Sequence, residues 1–307
     1  MKSNLTLAIL TKNRPRELSR CLQSIVLQTK KPKRVLIIDN DRTRSGMPVA
    51  QKFITLLPVD YSIETKIGTA YGRNTVFKLC STPFLGFTDD DCILDKHWVR
   101  EAEKNLLDPR VSYAIGQSLP LNPENPLAAA TYFHHQYWFN DKLTKNKNMP
   151  TAFNFDTKNI ILRTKDFKKH RLRFDPLFST VIADSSDTDM GFQVVNANLK
   201  GIYSPRMIVN HKESTNFWSL INKSKSRGEL AYKLSKKWHL TNEFIDASQK
   251  NLLRLSVLRQ VPIEWQRYLH GYKQSSIHKM TAFIALKILE RVYLQGYCTS
   301  EENDPTD

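Results

Sequence analysis

Three neighbouring aspartates, Asp89–Asp91, follow directly after the apolar strand pattern Phe84–Thr88, and this order constrains the fold more than any other feature of the chain. Two earlier apolar runs, Leu5–Leu10 and Arg34–Asp39, are separated by a segment whose apolar residues repeat at helical spacing, namely Leu18, Cys21, Leu22, Ile25 and Val26. Strand, helix and strand in this order favour parallel pairing, because parallel strands need a crossover connection. The chain is therefore predicted to form an α/β fold.

Carboxylates stand at two of the predicted strand ends, where open α/β sheets bind their ligands. Asp39 ends the second strand, and Asp89–Asp91 follow a later one. Three adjacent carboxylates repel one another unless a cation offsets their charge, and Mg²⁺ and Mn²⁺ prefer oxygen ligands. We therefore expect the acidic run to hold Mn²⁺ or Mg²⁺, whose open positions take the oxygens of a diphosphate. As a lone motif, three aspartates would also fit a solvated acidic turn.

The chain carries a formal charge of +16 over 307 residues. Such an excess attracts polyanions, which include nucleic acids, anionic lipid headgroups and anionic saccharides, and charge alone does not choose among them. The four cysteines form no Cys-x-x-Cys pair, which argues against a zinc site or a redox couple. The first residues do not read as a signal peptide, and no apolar run approaches the roughly 20 residues of a membrane span. We therefore expect a cytoplasmic protein.

The part of the chain beyond His211 is predicted to be helical and basic. Residues 212–291 contain 15 Lys and Arg against 6 Asp and Glu, a net charge of +9. Between Phe217 and Lys237 the apolar residues can share one side of a helix, while most basic residues lie elsewhere. This pattern fits attachment to an anionic membrane at the inner face of the plasma membrane, and it fits an ordinary packed helix about equally well. Residues 300–307 read as a short disordered acidic tail.

Seven segments together resemble the family-two glycosyltransferases of GT-A fold, and they are Leu10–Pro15, Asp39, Gly68–Asn74, Asp89–Asp91, Asn159–Arg163, Asp184–Phe192 and Gly201–His211. The resemblance implies a Rossmann-like, mostly parallel sheet flanked by helices, with a helical, basic C-terminal extension. It implies a catalytic domain over residues 1–212, with a nucleotide-sugar half at 1–104 and an acceptor half at 105–212. A helical region at 213–299 and the tail complete the predicted organisation.

The resemblance also implies which residues bind the nucleotide sugar, and these are Thr11, Asn13, Arg14, Asp39, Arg73, Asn74, Asp89 and Asp90. Asp39 matches the carboxylate that meets the base, although a turn cap next to Asn40 would explain the same residue. Arg73 offers a rigid fork of donors to the anionic part of the nucleotide, and it could also pair with nearby carboxylates.

The metal ligands implied by the resemblance are Asp89, Asp91 and His211. Asp91 matches the firmest ligand of the family pattern. Asp89 and Asp90 share the contacts to ribose and metal in a division that the pattern leaves open. His211 ends the segment that matches the family's last strand, where it can complete the metal shell. A lone histidine after a strand is otherwise more often a structural residue.

On the acceptor side, the resemblance points to Asp187 as the catalytic base. The local sequence is similar to the family's Gly-Glu-Asp-x-Asp pattern, but Ser186 stands where the glutamate before the base is usual. Asp184 and Asp189 therefore remain alternatives for the base, and the same letters would also fit the capping of a helix start. Asn159 and Asp189 are the further acceptor-side residues that the resemblance implies.

These features predict a metal-dependent, inverting, hexosyltransferase-like enzyme. It would move a sugar from a nucleotide-sugar donor to a saccharide or lipid-linked saccharide, in the synthesis of a bacterial capsule, lipopolysaccharide or exopolysaccharide. One alternative is a basic nucleic-acid-binding protein, and another is a metal-dependent nucleotidyltransferase, which also uses strand-end carboxylates. Nucleic acid is not an expected partner, because no recognised nucleic-acid motif occurs and strand-end carboxylates repel phosphate.

Overall fold

The computed structural model describes residues 3–136, 155–240 and 274–304. The chain forms two compact units, one made of Met1–Leu121 and Phe139–Lys212 and the other of Asn122–Trp138 and Glu213–Asp307. Every described strand lies in the first unit, and so does every predicted site residue. The first unit therefore carries the candidate site.

The strands of the first unit form one eight-stranded sheet. They are β1 (Leu5–Thr11), β2 (Arg34–Asp39), β3 (Val59–Ile63), β4 (Phe84–Asp89), β5 (Cys92–Leu94), β6 (Tyr113–Pro120), β7 (Ile160–Arg163) and β8 (Gly201–His211). Their order in the sheet is β3-β2-β1-β4-β7-β6-β8-β5. β1 pairs in parallel with β2 and β4, and β2 with β3, which confirms the predicted parallel pairing. β7 runs antiparallel between β4 and β6, so the sheet as a whole is mixed.

The described helices are α1 (Pro15–Val26), α2 (Met47–Phe53), α3 (Thr69–Leu79), α4 (Trp98–Asn105), α5 (Pro126–Gln136), α6 (Thr164–Lys169), α7 (Ser186–Asn196), α8 (Phe217–Trp238) and α9 (Ser276–Glu302). α5, α8 and α9 belong to the second unit, and the others belong to the first. The sequence does not predict α2, because seven residues are too few to show a helical repeat.

Burial explains why α1 forms where the pattern predicts it. Leu18, Cys21, Leu22 and Ile25 share one side of the helix, and all four are fully buried in the same core as β1 and β2. Pro15 occupies the first turn, where its missing N–H costs no helix hydrogen bond. Packing of α1 on the sheet therefore fixes the short loop at the carboxyl end of β1.

The second unit joins α5 to the two C-terminal helices. α8 and α9 approach so closely that a Cβ on Gly228 would lie 1.9 Å from the carbonyl oxygen of Tyr293. α5 packs on α9 through Ala129, which meets Ala282 in a small apolar cluster. The sequence prediction places α5 in the acceptor half at 105–212, whereas the structure groups this helix with the C-terminal helices in the second unit.

The end of the chain also differs from its prediction. α9 continues to Glu302, and the Tyr232 hydroxyl of α8 donates a hydrogen bond to Asp304 Oδ2 at 2.6 Å. Residues 300–304 are therefore held against α8 and are not a disordered tail. The helices predicted between 241 and 273 lie outside the described residues, as do residues 305–307. None of the helices within the described ranges carries an apolar stretch that reaches across a bilayer.

Candidate functional site

The pairing of β5 with β8 brings the acidic run next to His211. β5 begins directly after Asp91, and its antiparallel register places Cys92 opposite His211. The backbone N–H of Lys212 donates to the Asp91 carbonyl oxygen at 3.1 Å, and the Lys212 ammonium lies 3.0 Å from Glu17 Oε1 on α1. Two segments that are distant in sequence are therefore fixed side by side at the carboxyl end of β4.

Two aspartates of the run and His211 point to a common centre. β4 ends at Asp89, and a turn through Asp90 and Asp91 leads into β5. Asp89, Asp91 and His211 each offer one ligand atom, and these atoms all lie within 4.8 Å of one another. The structure thus brings together the three residues that the resemblance implies as metal ligands.

The chemistry of this cluster fits a divalent cation. Asp91 Oδ1 is buried without a hydrogen bond from the described residues, and His211 Nε2 lies 3.3 Å away. Burial alone would raise the pKa of Asp91, but His211 and Arg14 outweigh it and lower that pKa to about 2. Burial and the charge of Asp91 raise the pKa of Asp89, a repulsion that a bound cation would relieve. Two carboxylates and an imidazole are a ligand set that Mn²⁺ accepts.

Asp90 is not a member of this cluster, and it is almost fully buried. The Thr11 hydroxyl donates to its Oδ2 at 2.7 Å, and Arg14 Nη1 donates to its Oδ1 at 3.1 Å. Burial raises the pKa of Asp90 to about 7, although the Arg14 charge opposes the shift. Exposed Asn13 takes the left-handed conformation, with φ at 52°, between these two donors. The family pattern leaves open how Asp89 and Asp90 divide the ribose and metal contacts. The structure places Asp89 in the cluster and Asp90 against Thr11 and Arg14.

Asp39 is fully buried at the end of β2. Its carboxylate accepts hydrogen bonds from the backbone N–H of Asp41 at 3.0 Å and of Gly46 at 2.9 Å, and from the hydroxyl of Tyr61. These bonds close the loop between β2 and α2. The structure therefore shows Asp39 capping a turn. No part of its side chain is exposed for the expected contact with the nucleotide base. The sequence pattern gave no signal for Tyr61 as its partner.

Arg73 and Asn74 on α3 both bind the segment that leads to α7. Arg73 is buried, and its Nη1 donates to the Asp184 carboxylate and to Ser186 Oγ, the latter at 3.1 Å. Burial alone would lower the pKa of Arg73, but nearby carboxylates, Asp184 first, raise it. The Asn74 amide exchanges two hydrogen bonds with the backbone of Phe174 at 2.7 and 2.9 Å. In this structure both residues hold the acceptor-side segment through these hydrogen bonds.

Asp187 lies half-buried in the first turn of α7. The backbone N–H of Thr188 donates to its Oδ1 at 2.7 Å. Burial, followed by the charge of Asp184, raises the pKa of Asp187 to about 7, even though Arg73 opposes the shift. Asp184 therefore supplies the like charge that Ser186 lacks. The Ser186 hydroxyl instead donates to Asp184 Oδ1 at 2.8 Å.

The two other acceptor-side residues are internal. Asp189 is fully buried and accepts a hydrogen bond from Gln193 Nε2 at 2.8 Å, one turn along α7. Asn159 is fully buried as well, and its Oδ1 accepts from Trp98 Nε1 at 2.8 Å. Its Nδ2 donates to the carbonyl oxygens of Gln117 and Met207. Their side chains face the protein interior, so neither is open to an acceptor.

Asp156 belongs to the electrostatics of the site, although no motif pointed to it. This buried residue lies just before β7, and Lys158 Nζ lies 2.6 Å from its Oδ2. Its charge contributes to the raised pKa of both Asp89 and Asp187, after larger contributions that begin with burial in each case. The charge of Arg73 acts on the same two carboxylates. The cluster of Asp89, Asp91 and His211 and the segment around Asp187 therefore lie within electrostatic reach of the same charged groups.

Comparison with protein families gives one match. The family model described as Glycosyl transferase family 2 matches residues 6–171. The matched range includes every donor-side residue discussed above and the acidic run, and it ends before α7. A search of curated proteins finds no significant match.

Solved structures share the fold. A mannosyltransferase from Pyrobaculum calidifontis, solved with GDP-Man and Mn²⁺, has a TM-score of 0.63 at 14% identity, covering 97% of this chain and 88% of that chain. TarS from S. aureus has a TM-score of 0.53 at 14% identity, covering 98% of this chain but only 55% of that chain. The shorter TarS 1–349, solved with UDP-GlcNAc, gives 0.54 at 12% identity, covering 100% and 93%. These likenesses confirm the expected GT-A fold.

Proposed function

We propose that this chain, which belongs to glycosyl transferase family 2, transfers a sugar from a nucleotide-sugar donor to an acceptor hydroxyl with the help of a divalent cation. The observation that carries the proposal is the cluster of Asp89, Asp91 and His211 at the carboxyl end of β4. Ligands of open α/β sheets bind at this edge. The neighbours bound to GDP-Man with Mn²⁺ and to UDP-GlcNAc support a donor of the same class.

The cluster supplies the cation ligands in this proposal. A bound Mn²⁺ or Mg²⁺ would offset the negative charge of the diphosphate as it leaves. Asp91 suits this role because its pKa of about 2 keeps the carboxylate ionised at any working pH. Asp89 and His211 complete the ligand set, and Asp90 accepts a hydrogen bond from Thr11 instead.

Asp187 is the proposed base. A raised pKa of about 7 suits a group that must take a proton near neutral pH. As the acceptor hydroxyl gives its proton to Asp187, its oxygen bonds to the anomeric carbon. The bond from that carbon to the diphosphate oxygen breaks on the opposite face, which inverts the configuration. The N–H of Thr188 orients the carboxylate throughout.

The acceptor in this proposal is a saccharide or a lipid-linked saccharide of a bacterial surface polysaccharide. The +16 charge supports an anionic acceptor or an anionic membrane that carries it. On α8, Leu220, Leu230 and Leu234 are buried, while the basic residues are largely exposed. These leucines are therefore packed within the protein, and the proposed membrane binding rests on the exposed basic residues. Co-sedimentation with anionic vesicles at low salt tests it, and equal binding to neutral vesicles would refute it.

Glycosyl transfer is preferred to the two other candidate functions because of the family match. A nucleotidyltransferase could use the same carboxylates, and a nucleic-acid-binding protein could use the same positive charge. Mass spectrometry of the products distinguishes sugar transfer from nucleotidyl transfer. Binding of DNA or RNA without metal, with a steep dependence on salt, would support the nucleic-acid alternative.

The decisive test is a panel of UDP-, GDP- and ADP-sugars measured for thermal stabilisation with Mn²⁺, with Mg²⁺ and with a chelator. A ligand present at a hundred times its dissociation constant stabilises the folded protein by ~2.7 kcal/mol. We expect one nucleotide class to stabilise the protein only when metal is present. Stabilisation that is equal with chelator would refute the metal-assisted donor site.

A matched variant separates the metal site from general charge effects. Asp91→Asn removes a ligand of the cluster, whereas Asp95→Asn changes an aspartate that caps the turn before α4. We expect the metal-dependent stabilisation to disappear only in the first variant.

A further inference from the structure

Arg14 contacts a carboxylate, that of Asp91, for which a bound cation would compete. Its Nη1 atom donates to Asp90 Oδ1 at 3.1 Å and to Asp91 Oδ2 at 2.8 Å. One guanidinium nitrogen therefore bridges two carboxylates of the acidic run, and one of them belongs to the cluster with Asp89 and His211. The negative charge of the run is thus partly neutralised by the chain itself.

The two partners of Arg14 differ from it in exposure. The Arg14 side chain is 48% exposed, whereas those of Asp90 and Asp91 are 4% and 15% exposed. An ion pair with one exposed partner gives little stability, because water competes for the exposed group. Arg14 can therefore leave at low cost, while the carboxylates remain in place. The contact is suited to exchange rather than to permanent structure.

The backbone around Arg14 supports this interpretation. Asn13 is left-handed, with φ at 52°, and Pro15 begins α1. Proline restricts the residue before it, and a left-handed residue is uncommon outside turns and functional loops. The chain thus fixes the backbone on both sides of Arg14 and leaves its long side chain free to change direction.

We propose that the Arg14 guanidinium acts as a resident counter-ion in the nucleotide-free protein and that metal binding displaces it from Asp91. A divalent cation and a guanidinium repel each other and compete for the same carboxylate. Once displaced, the guanidinium would be available to the oxygens of a bound diphosphate, which match its fork of donors. Metal and donor binding are thereby coupled through one side chain. This inference rests on the proposed metal site.

The test measures Mn²⁺ binding to the nucleotide-free full chain by the electron paramagnetic resonance signal of free Mn²⁺. Arg14→Met removes the charge, Arg14→Lys keeps a point charge without the fork, and Arg16→Met removes an exposed charge two residues along α1. If Arg14 occupies Asp91 in most molecules, only the remaining fraction can bind metal directly. Removal of Arg14 then raises the apparent metal affinity by one divided by that fraction. We expect Arg14→Met to bind Mn²⁺ about five- to tenfold more tightly than wild type.

The controls separate displacement from plain electrostatics. Displacement predicts wild-type affinity for Arg16→Met and an affinity for Arg14→Lys that lies between those of wild type and Arg14→Met. Equal affinity in wild type and Arg14→Met would overturn the proposal while leaving the metal site intact. Wild-type affinity in Arg14→Lys would reduce the effect to charge and overturn it as well. No Mn²⁺ binding by any form would instead refute the metal site on which it rests.

A second measurement tests the other half of the exchange. With saturating Mn²⁺, we expect Arg14→Met to bind the preferred nucleoside diphosphate about tenfold more weakly, because a charge-assisted contact is lost. Arg16→Met should match wild type. Unchanged diphosphate affinity in Arg14→Met would show that the displaced guanidinium does not reach the nucleotide.

Discussion

The acidic run that ends β4 and the acidic segment that begins α7 each contain three aspartates, and the fold treats them in opposite ways. In the run, His211 and Arg14 lower the pKa of Asp91 to about 2 against the effect of burial. In the segment before and within α7, burial and Asp184 raise the pKa of Asp187 to about 7. One aspartate stays charged, which suits its proposed role as a cation ligand, and the other can hold a proton near neutral pH.

The difference lies in which partners surround each carboxylate. Asp91 faces an imidazole and a guanidinium, whereas Asp187 faces another carboxylate and accepts a hydrogen bond from the backbone N–H of its neighbour Thr188. Arg73, which could have lowered the pKa of Asp187 strongly, is bound to Asp184 instead. Environments that drive the pKa values of like groups apart are how one site provides both a permanent charge and a base.

The largest expected effect comes from Asp187→Asn. The amide cannot accept the proton of the acceptor hydroxyl, so transfer should fall by about a thousandfold. The rate is measured by mass spectrometry of the product at saturating donor and metal. Asp189→Asn is the control, because Asp189 is fully buried and bonds to Gln193. It should lose stability but keep transfer per folded molecule, and the reverse pattern would assign the base to Asp189.

Substitution of Asn159 tests whether a residue that matches a family motif has only a structural role. Asn159→Leu leaves the Trp98 indole N–H and two carbonyl oxygens without their partner inside the core. We expect the free energy of unfolding to fall by about 2–4 kcal/mol, as measured by urea denaturation. The exposed Asn222→Ala serves as the control. A stable Asn159→Leu protein without transfer activity would move this residue into the site.

His211→Ala should weaken Mn²⁺ binding by about ten- to a hundredfold, because it removes one of three clustered ligands. The measurement is a Mn²⁺ titration without nucleotide. His97→Ala is the matched control, since its ring contacts Thr29 Oγ1 at 3.0 Å and lies outside the cluster. Equal metal affinity in both variants would mean that His211 only supports the β5–β8 pairing.

The smallest effect concerns stability against pH. The folded pKa of Asp187, about 7, lies above its ordinary value of 3.8, so its contribution to stability is lost as pH rises through about 7. Asp187→Asn has no such loss. Between pH 5 and pH 8 we therefore expect the free energy of unfolding of the variant to rise relative to that of wild type. For a half-buried group this rise is on the order of 1 kcal/mol. Parallel pH profiles of unfolding free energy in metal-free buffer would contradict the raised pKa.

Local pattern was enough to predict the parallel half of the sheet. Apolar runs and the helical repeat through Leu18, Cys21, Leu22 and Ile25 are properties of neighbouring residues, and burial of the same residues confirms them. The insertion of β7 between β4 and β6 is different, because strand pairing across a long sequence separation leaves no local signal. The membership of α5 in the second unit has the same cause.

The site shows the same division. The resemblance implied Asp89, Asp91 and His211 together, and the antiparallel register of β5 on β8 brings them together. The same resemblance implied Asn74, which the structure directs to the backbone of Phe174. A motif fixes the identity of a residue, but the direction of its side chain depends on tertiary partners that only the folded chain supplies.

One measurement tests the separation of the two acidic segments most directly. Asp91→Asn and Asp187→Asn are compared for Mn²⁺-dependent binding of the nucleoside diphosphate that stabilises the wild type most. Asp187→Asn should bind with wild-type affinity, and Asp91→Asn should lose the metal-dependent part of the affinity. Equal loss in both variants, or loss in neither, would contradict an account in which Asp91 holds the cation and Asp187 takes the proton.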